Sequence, residues 1–97
     1  MRYEFALAPE AVEDLRKLKT PLRAEIRDAI ERHLRHEPRK ASRSRIKRLR
    51  GVRRPQYRLR VGEIRVFYDV LEGSVEILAI VEKSQVASWL TKIGEPE

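Results

Sequence analysis

Residues 56–82 read QYRLRVGEIRVFYDVLEGSVEILAIVE, and the spacing of their apolar residues decides the fold. Three segments, Gln56 to Val61, Ile64 to Leu71 and Ser74 to Glu82, alternate apolar and polar residues with the period of half-buried strands. They are separated by Gly62-Glu63 and Glu72-Gly73, pairs of the kind that close tight hairpins. Two-residue loops fix the register, because side chains alternate between faces along a strand. Val61 then faces Ile64, Arg60 faces Arg65, Leu59 faces Val66 and Arg58 faces Phe67. The second loop sets Val66 opposite Ala79, Phe67 opposite Leu78 and Arg65 opposite Ile80. One face of the meander reads Tyr57, Leu59, Val61, Ile64, Val66, Tyr68, Val70, Val75, Ile77, Ala79 and Val81, and is the face expected to be covered. The other reads Arg58, Arg60, Arg65, Phe67, Asp69, Glu76, Leu78, Ile80 and Glu82, a basic patch beside an apolar one.

The cover lies upstream. Arg2 to Leu7 alternates Tyr3, Phe5 and Leu7 against polar or small residues, a first strand. Pro9 suits the first turn of a helix that runs to about Lys19 with Val12, Leu15 and Leu18 on one side. Thr20-Pro21 reads as N-cap and first helical residue of a second helix, whose stripe of Leu22, Ile26, Ala29, Ile30 and Leu34 stops before Pro38. A short strand at Ile46 to Leu49 precedes the meander, and Ser84 is placed to cap a last turn or two of helix carrying Val86, Trp89, Leu90 and Ile93. The expected fold is α+β in two layers, a helical hairpin on one face of a small, mostly antiparallel sheet, in the order β-α-α-β-β-β-β. At 97 residues it forms a single domain spanning residues 1–97.

Charge is distributed unevenly. Residues 39–60 contain half of the 22 Lys and Arg and none of the 15 Asp and Glu, so the net charge of +7 is a local concentration on a mildly acidic remainder. Such a cluster is the footprint of a phosphate backbone or an acidic partner. Cysteine is absent, which excludes disulfides and thiolate zinc sites, and no metal-ligand constellation or phosphate-cradling glycine loop stands out. The expectation is therefore no cofactor, and with no apolar h-region or membrane-length apolar run, a cytoplasmic protein without a membrane partner. His33 and His36, the two histidines, read as helix-face residues.

The strand order, the basic Leu49-Arg50-Gly51 segment, the string YRLRVGEIRVFYDV and the following VEILAIVEKS together resemble the RelE/ParE superfamily of toxins from type II toxin–antitoxin systems. The resemblance covers about Tyr3 to Leu90. It implies a cognate antitoxin as partner and, in the RelE branch, a metal-independent endonuclease that cuts mRNA on the ribosome by attack of the ribose 2′-OH on the adjacent phosphate. By position in the motif it implies Arg58, Arg60, Arg65 and Lys83 as catalytic residues. Contacts to RNA are expected from Arg45, Lys47, Arg48, Arg50, Arg53 and Arg54 in the basic stretch, with Phe67 and Trp89 as aromatic platforms. Arginine keeps its proton at neutral pH and tryptophan has no hydroxyl to donate. Inhibition of DNA gyrase, as in the ParE branch, and a binding role without catalysis thus stand beside cleavage.

Overall fold

The structure, a computed structural model, describes residues 1–97. A first strand β1 (Glu4–Leu7) leads into the hairpin of α1 (Pro9–Arg16) and α2 (Thr20–Leu34). Short strands β2 (Ile46–Arg48) and β3 (Val52–Arg54) precede the meander of β4 (Tyr57–Val61), β5 (Ile64–Leu71) and β6 (Ser74–Glu82). One tight turn of helix at Lys83–Gln85 then opens α3 (Val86–Ile93), and β7 (Glu95–Pro96) closes the chain. The main sheet has the order β1-β6-β5-β4-β2, antiparallel except for the parallel pair β1 and β6. The α+β assignment thus holds.

Gly62 and Gly73 adopt φ of 58° and 74°, the left-handed conformation that tight hairpin turns demand and side chains resist. With the first turn closed in two residues, β4 and β5 pair in the register read from the sequence, Arg60 with Arg65 and Arg58 with Phe67. The pairing of β5 with β6 begins as expected, Val70 with Val75 and Tyr68 with Ile77, and then slips: Phe67 meets Ala79, not Leu78. Leu78 is the extra residue of a β-bulge, and everything beyond it changes face. Ala79 and Val81, expected under the helices, lie on the arginine side with Phe67. Ile80 joins the main core, and Glu82, paired with Ile64, leaves the arginine side.

That main core is the interface between sheet and helical hairpin. Ala11 and Leu15 of α1 and Ile26, Ile30 and Leu34 of α2 pack on Leu59, Val66, Tyr68, Val75 and Ile77. Each such Leu or Ile contributes about 1.5–3 kcal/mol by leaving water. Where β1 turns away into α1, β6 continues without a partner on that edge, and the Ile80 N–H is taken by the Asp14 carboxylate of α1 at 2.9 Å. On the other face α3 lays Val86, Trp89 and Leu90 over Phe67, Ala79 and Val81, a partial third layer. Three local readings differ. The first helix ends at Arg16, and neither Thr20 nor Ser84 caps a helix: Lys19 and Gln85 hold the cap positions of α2 and α3 without side-chain bonds. The two-stranded sheet of β3 and β7 was not foreseen.

Tyr68 ties the layers together. Its ring is fully buried and stacked on Tyr57 at 5.4 Å, and its hydroxyl donates to the Pro38 carbonyl at 2.7 Å, anchoring the chain that leaves α2. Burial pushes the phenol well above its ordinary pKa, so it remains a donor throughout the accessible range. Tyr68→Phe removes this donor while keeping the ring. Urea denaturation should register a loss of about 1–3 kcal/mol as a lower midpoint at unchanged m-value; an unaltered midpoint would show that the Pro38 carbonyl finds water instead.

Candidate nucleic-acid interface

Four cations project from the sheet face opposite the helical hairpin, with a fifth at its edge. Arg58 and Arg60 stand two residues apart on β4, Arg65 lies across from Arg60 on β5, and Lys47 lies across from Arg58 on β2. The Arg60 N–H bonds the Arg45 carbonyl at 2.8 Å, extending the ladder by a residue and bringing Arg45 to the same edge. Their positions are imposed by the opposite face, where Leu59 and Val66 between them are fully buried. Arginines opposed across strands repel by roughly 0.2–1 kcal/mol, a cost that the burial of two apolar side chains exceeds several-fold.

No carboxylate offsets the cluster. The ion pairs of the molecule all involve other residues, and the acids expected nearby are engaged: Arg54 holds Asp69 at 3.0 Å and Glu76 at 2.9 Å. Asp69 also accepts the Gln56 N–H at 2.8 Å, and burial, partly countered by that bond and by Arg54, raises its pKa. Arg65 donates to the carbonyls of Gly62 and Ile64 at 2.9 and 3.1 Å, and Arg60 to that of Ser44 at 3.4 Å. Arg58 has no such outlet. Its Nη1 is buried without a hydrogen-bond partner, and burial, then Arg65 and Arg60, lower its pKa. An orphaned buried donor costs about 1–3 kcal/mol, a penalty that an incoming anion with free lone pairs would relieve.

The other candidates separate by location. Arg53 and Arg54 are neutralised within the chain, Arg53 by Glu95 at 2.6 Å, so both serve the β3 and β7 region and the sheet. Arg48 pairs with Tyr57, turning it to the helical side, where its guanidinium lies 5.1 Å from the Tyr57 ring centre. Arg50 is exposed between β2 and β3. Phe67 is fully buried and stacked on Trp89 at 4.7 Å and 16°, which corrects its reading as a platform for bases. Trp89, half-buried, is occupied by the same stack. Lys83 starts the turn after β6, its N–H bonded to the Glu63 carbonyl at 2.8 Å. It borders a cavity of about 490 Å³ with Leu22 and Glu25 of α2, and none of the three arginines lines that space. The arginine triad therefore assembles as the strand arithmetic requires, Lys47 joins it through the pairing of β2 with β4, and Lys83 and the aromatics do not.

Residues 5–87 match the family described as ParE toxin of type II toxin–antitoxin system, parDE. Three solved structures share the fold. The RelB–RelE antitoxin–toxin complex from Methanococcus jannaschii is 20% identical over 86% of this chain and 95% of that chain, with a TM-score of 0.66. The archaeal RelE–RelB complex from Pyrococcus horikoshii is 25% identical over 88% and 99%, with a TM-score of 0.63. The toxin–antitoxin complex RelBE2 from Mycobacterium tuberculosis is 24% identical over 84% and 99%, with a TM-score of 0.62. A comparison with curated proteins finds no match.

Opposed arginines held together by a core should be frustrated. Arg65→Gln, which keeps length and polarity, should raise stability at low salt by about 0.2–1 kcal/mol, and screening should erase the gain in molar salt. Urea midpoints at the two ionic strengths measure this; a loss of stability at low salt would mean that the Arg65 bonds to Gly62 and Ile64 outweigh the repulsion.

Proposed function

The chain belongs to the ParE toxin family of type II toxin–antitoxin systems, and from that premise we propose that its arginine face binds the scissile phosphate of mRNA and promotes ribosome-dependent cleavage. The observation that carries the reading is the convergence of Arg58, Arg60 and Arg65 without a carboxylate, one of them keeping a buried, unpartnered donor. In the cleavage proposed, the ribose 2′-oxygen bonds to phosphorus and the bond to the 5′-oxygen breaks, leaving a cyclic phosphate and a free hydroxyl. Negative charge builds on the non-bridging oxygens, and fixed guanidinium groups stabilise it more than they stabilise the ground state. Arg65 and Arg58 are assigned to those oxygens, with Arg60 and Lys47 on the flanking backbone.

The arginine cluster contains no imidazole or free carboxylate, Asp69 and Glu76 on the same face being held by Arg54, so the proton leaving the 2′-OH and the proton reaching the 5′-oxygen pass through water or ribosomal groups. A surface that supplies charge but not proton transfer depends on another body to align the RNA, which is the physical argument for action on the ribosome. A cytoplasmic site of action goes with it. The relatives of known structure are toxin–antitoxin complexes, and a cognate antitoxin is the partner proposed here. Carboxylates on a segment that folds on binding suit the unopposed arginines. The missing proton-transfer group also supports a second reading, in which the same face grips gyrase or its DNA and no RNA is cut.

Primer extension on mRNA from cells expressing the chain separates these readings. Cuts within translated codons should occur with the wild type and fall by at least about a hundredfold in Arg65→Ala, the scale for losing one transition-state donor. Growth arrest without cuts, together with loss of supercoiling activity in purified gyrase, would overturn cleavage in favour of gyrase.

A further inference from the structure

A cleft of about 500 Å³ opens where the C-terminal end of α2 meets the loop before β2, beyond the edge of the arginine face. Ile46 is its one apolar lining residue, so it does not suit an apolar ligand. Arg32, His33 and His36 come from the helix side, and Lys40, Ser44 and Arg45 from the other. The loop is built rather than loose: the Ser42 hydroxyl accepts the N–H groups of Arg45 and Ile46, both at 3.0 Å, and the Ser42 N–H returns to the Ile46 carbonyl at 2.9 Å.

Two of the cations have partners, Arg32 with Asp28 at 3.2 Å and Lys40 with Glu37 at 3.7 Å, whereas Arg45 pairs with no carboxylate. His36 contacts the Met1 carbonyl at 3.3 Å through Nδ1. Burial, then Arg45 and Arg32, hold the His33 imidazole below its ordinary pKa, with Asp28 opposing them. Three cations, of which Arg45 alone lacks a carboxylate partner, thus border one polar cavity that the Glu37 carboxylate also lines. The same loop touches the arginine face through its backbone, since the carbonyls of Ser44 and Arg45 accept from the guanidinium and the N–H of Arg60.

We infer that this cleft is a second phosphate site, which holds the backbone of the same RNA strand beyond the segment lying on Arg58, Arg60 and Arg65. Arg45 is the joint between the two, and His33, Arg32 and Lys40 are the groups that only the cleft uses. The inference rests on the proposed RNA-binding role and extends the footprint across the β2 edge. It accounts for the position of both histidines without giving either a role in cleavage.

The test uses the isolated full chain, with His33 and His36 followed by NMR and a short fluorescent single-stranded RNA followed by anisotropy. RNA should move the His33 resonances and raise its pKa by about one unit, as a nearby anion does. Arg32→Gln and Lys40→Gln should each weaken RNA binding and reduce the salt slope by about 0.7, with circular dichroism unchanged. Unmoved His33 resonances and unaltered slopes would overturn the inference, and a response to pyrophosphate but not to RNA would overturn the assignment to a nucleic-acid strand. Because these readouts need no cleavage, a failure of the nuclease reading with an intact His33 response remains distinguishable from a failure of the cleft.

Discussion

The turn at Gly62 is the constraint from which the arginine face follows. Its positive φ closes β4 onto β5 in two residues, and alternation then allows no choice: with Leu59 and Val66 inward, Arg58, Arg60 and Arg65 must share the outward face. A one-residue slip would bury the arginines and expose the core. The register is therefore held by several kilocalories of apolar burial against a repulsion of roughly 0.2–1 kcal/mol. This ratio explains how a small domain can keep like charges opposed without a carboxylate between them. Stability is drawn from one side of the sheet and is available to hold an unfavourable arrangement on the other.

The bulge at Leu78 shapes the rest of that outward face. By changing the faces of the residues beyond it, it moves Glu82 to the helical side and substitutes Val81, so an acid that would have stood near Arg65 is replaced by an apolar side chain. Phe67, Ala79 and Val81 then form a patch that α3 covers, with the Phe67–Trp89 stack at its centre. Arg54 removes the remaining acids by holding Asp69 and Glu76 together. Electropositive character at the cluster thus depends as much on where the acids were sent as on where the bases were put.

How much could be read in advance varied with the kind of signal. The β4–β5 register was legible because glycine-containing loops and strict alternation agree over YRLRVGEIRVFY. The β5–β6 register was legible only as far as Ile77, since ILAIV is apolar at every position and alternation in such a run cannot reveal an inserted residue. That one ambiguity misplaced Ala79, Ile80, Val81 and Glu82. Phe67, read opposite Leu78 and on the same face as Ile80, packs instead with Ala79 and Val81 under α3. Arg53 and Arg54 were hidden for another reason: their partners Glu95, Asp69 and Glu76 lie 15 to 42 residues away, and charge counting along the chain cannot show long-range pairing. The helix ends were missed where caps follow backbone conformation with no side-chain bond.

At three residues, β2 is the outermost strand beside β4, and it carries Lys47 and Arg48 exposed on its two faces. A sheet rim of unpaired backbone groups invites another chain to dock along it, and brevity and flanking positive charge are two of the ways proteins discourage that. The same side chains that make this rim attractive to a polyanion therefore keep copies of the chain from stacking rim to rim. Any partner that neutralises these charges takes over that protective task as well, so its hold on the rim must itself leave no strand edge open.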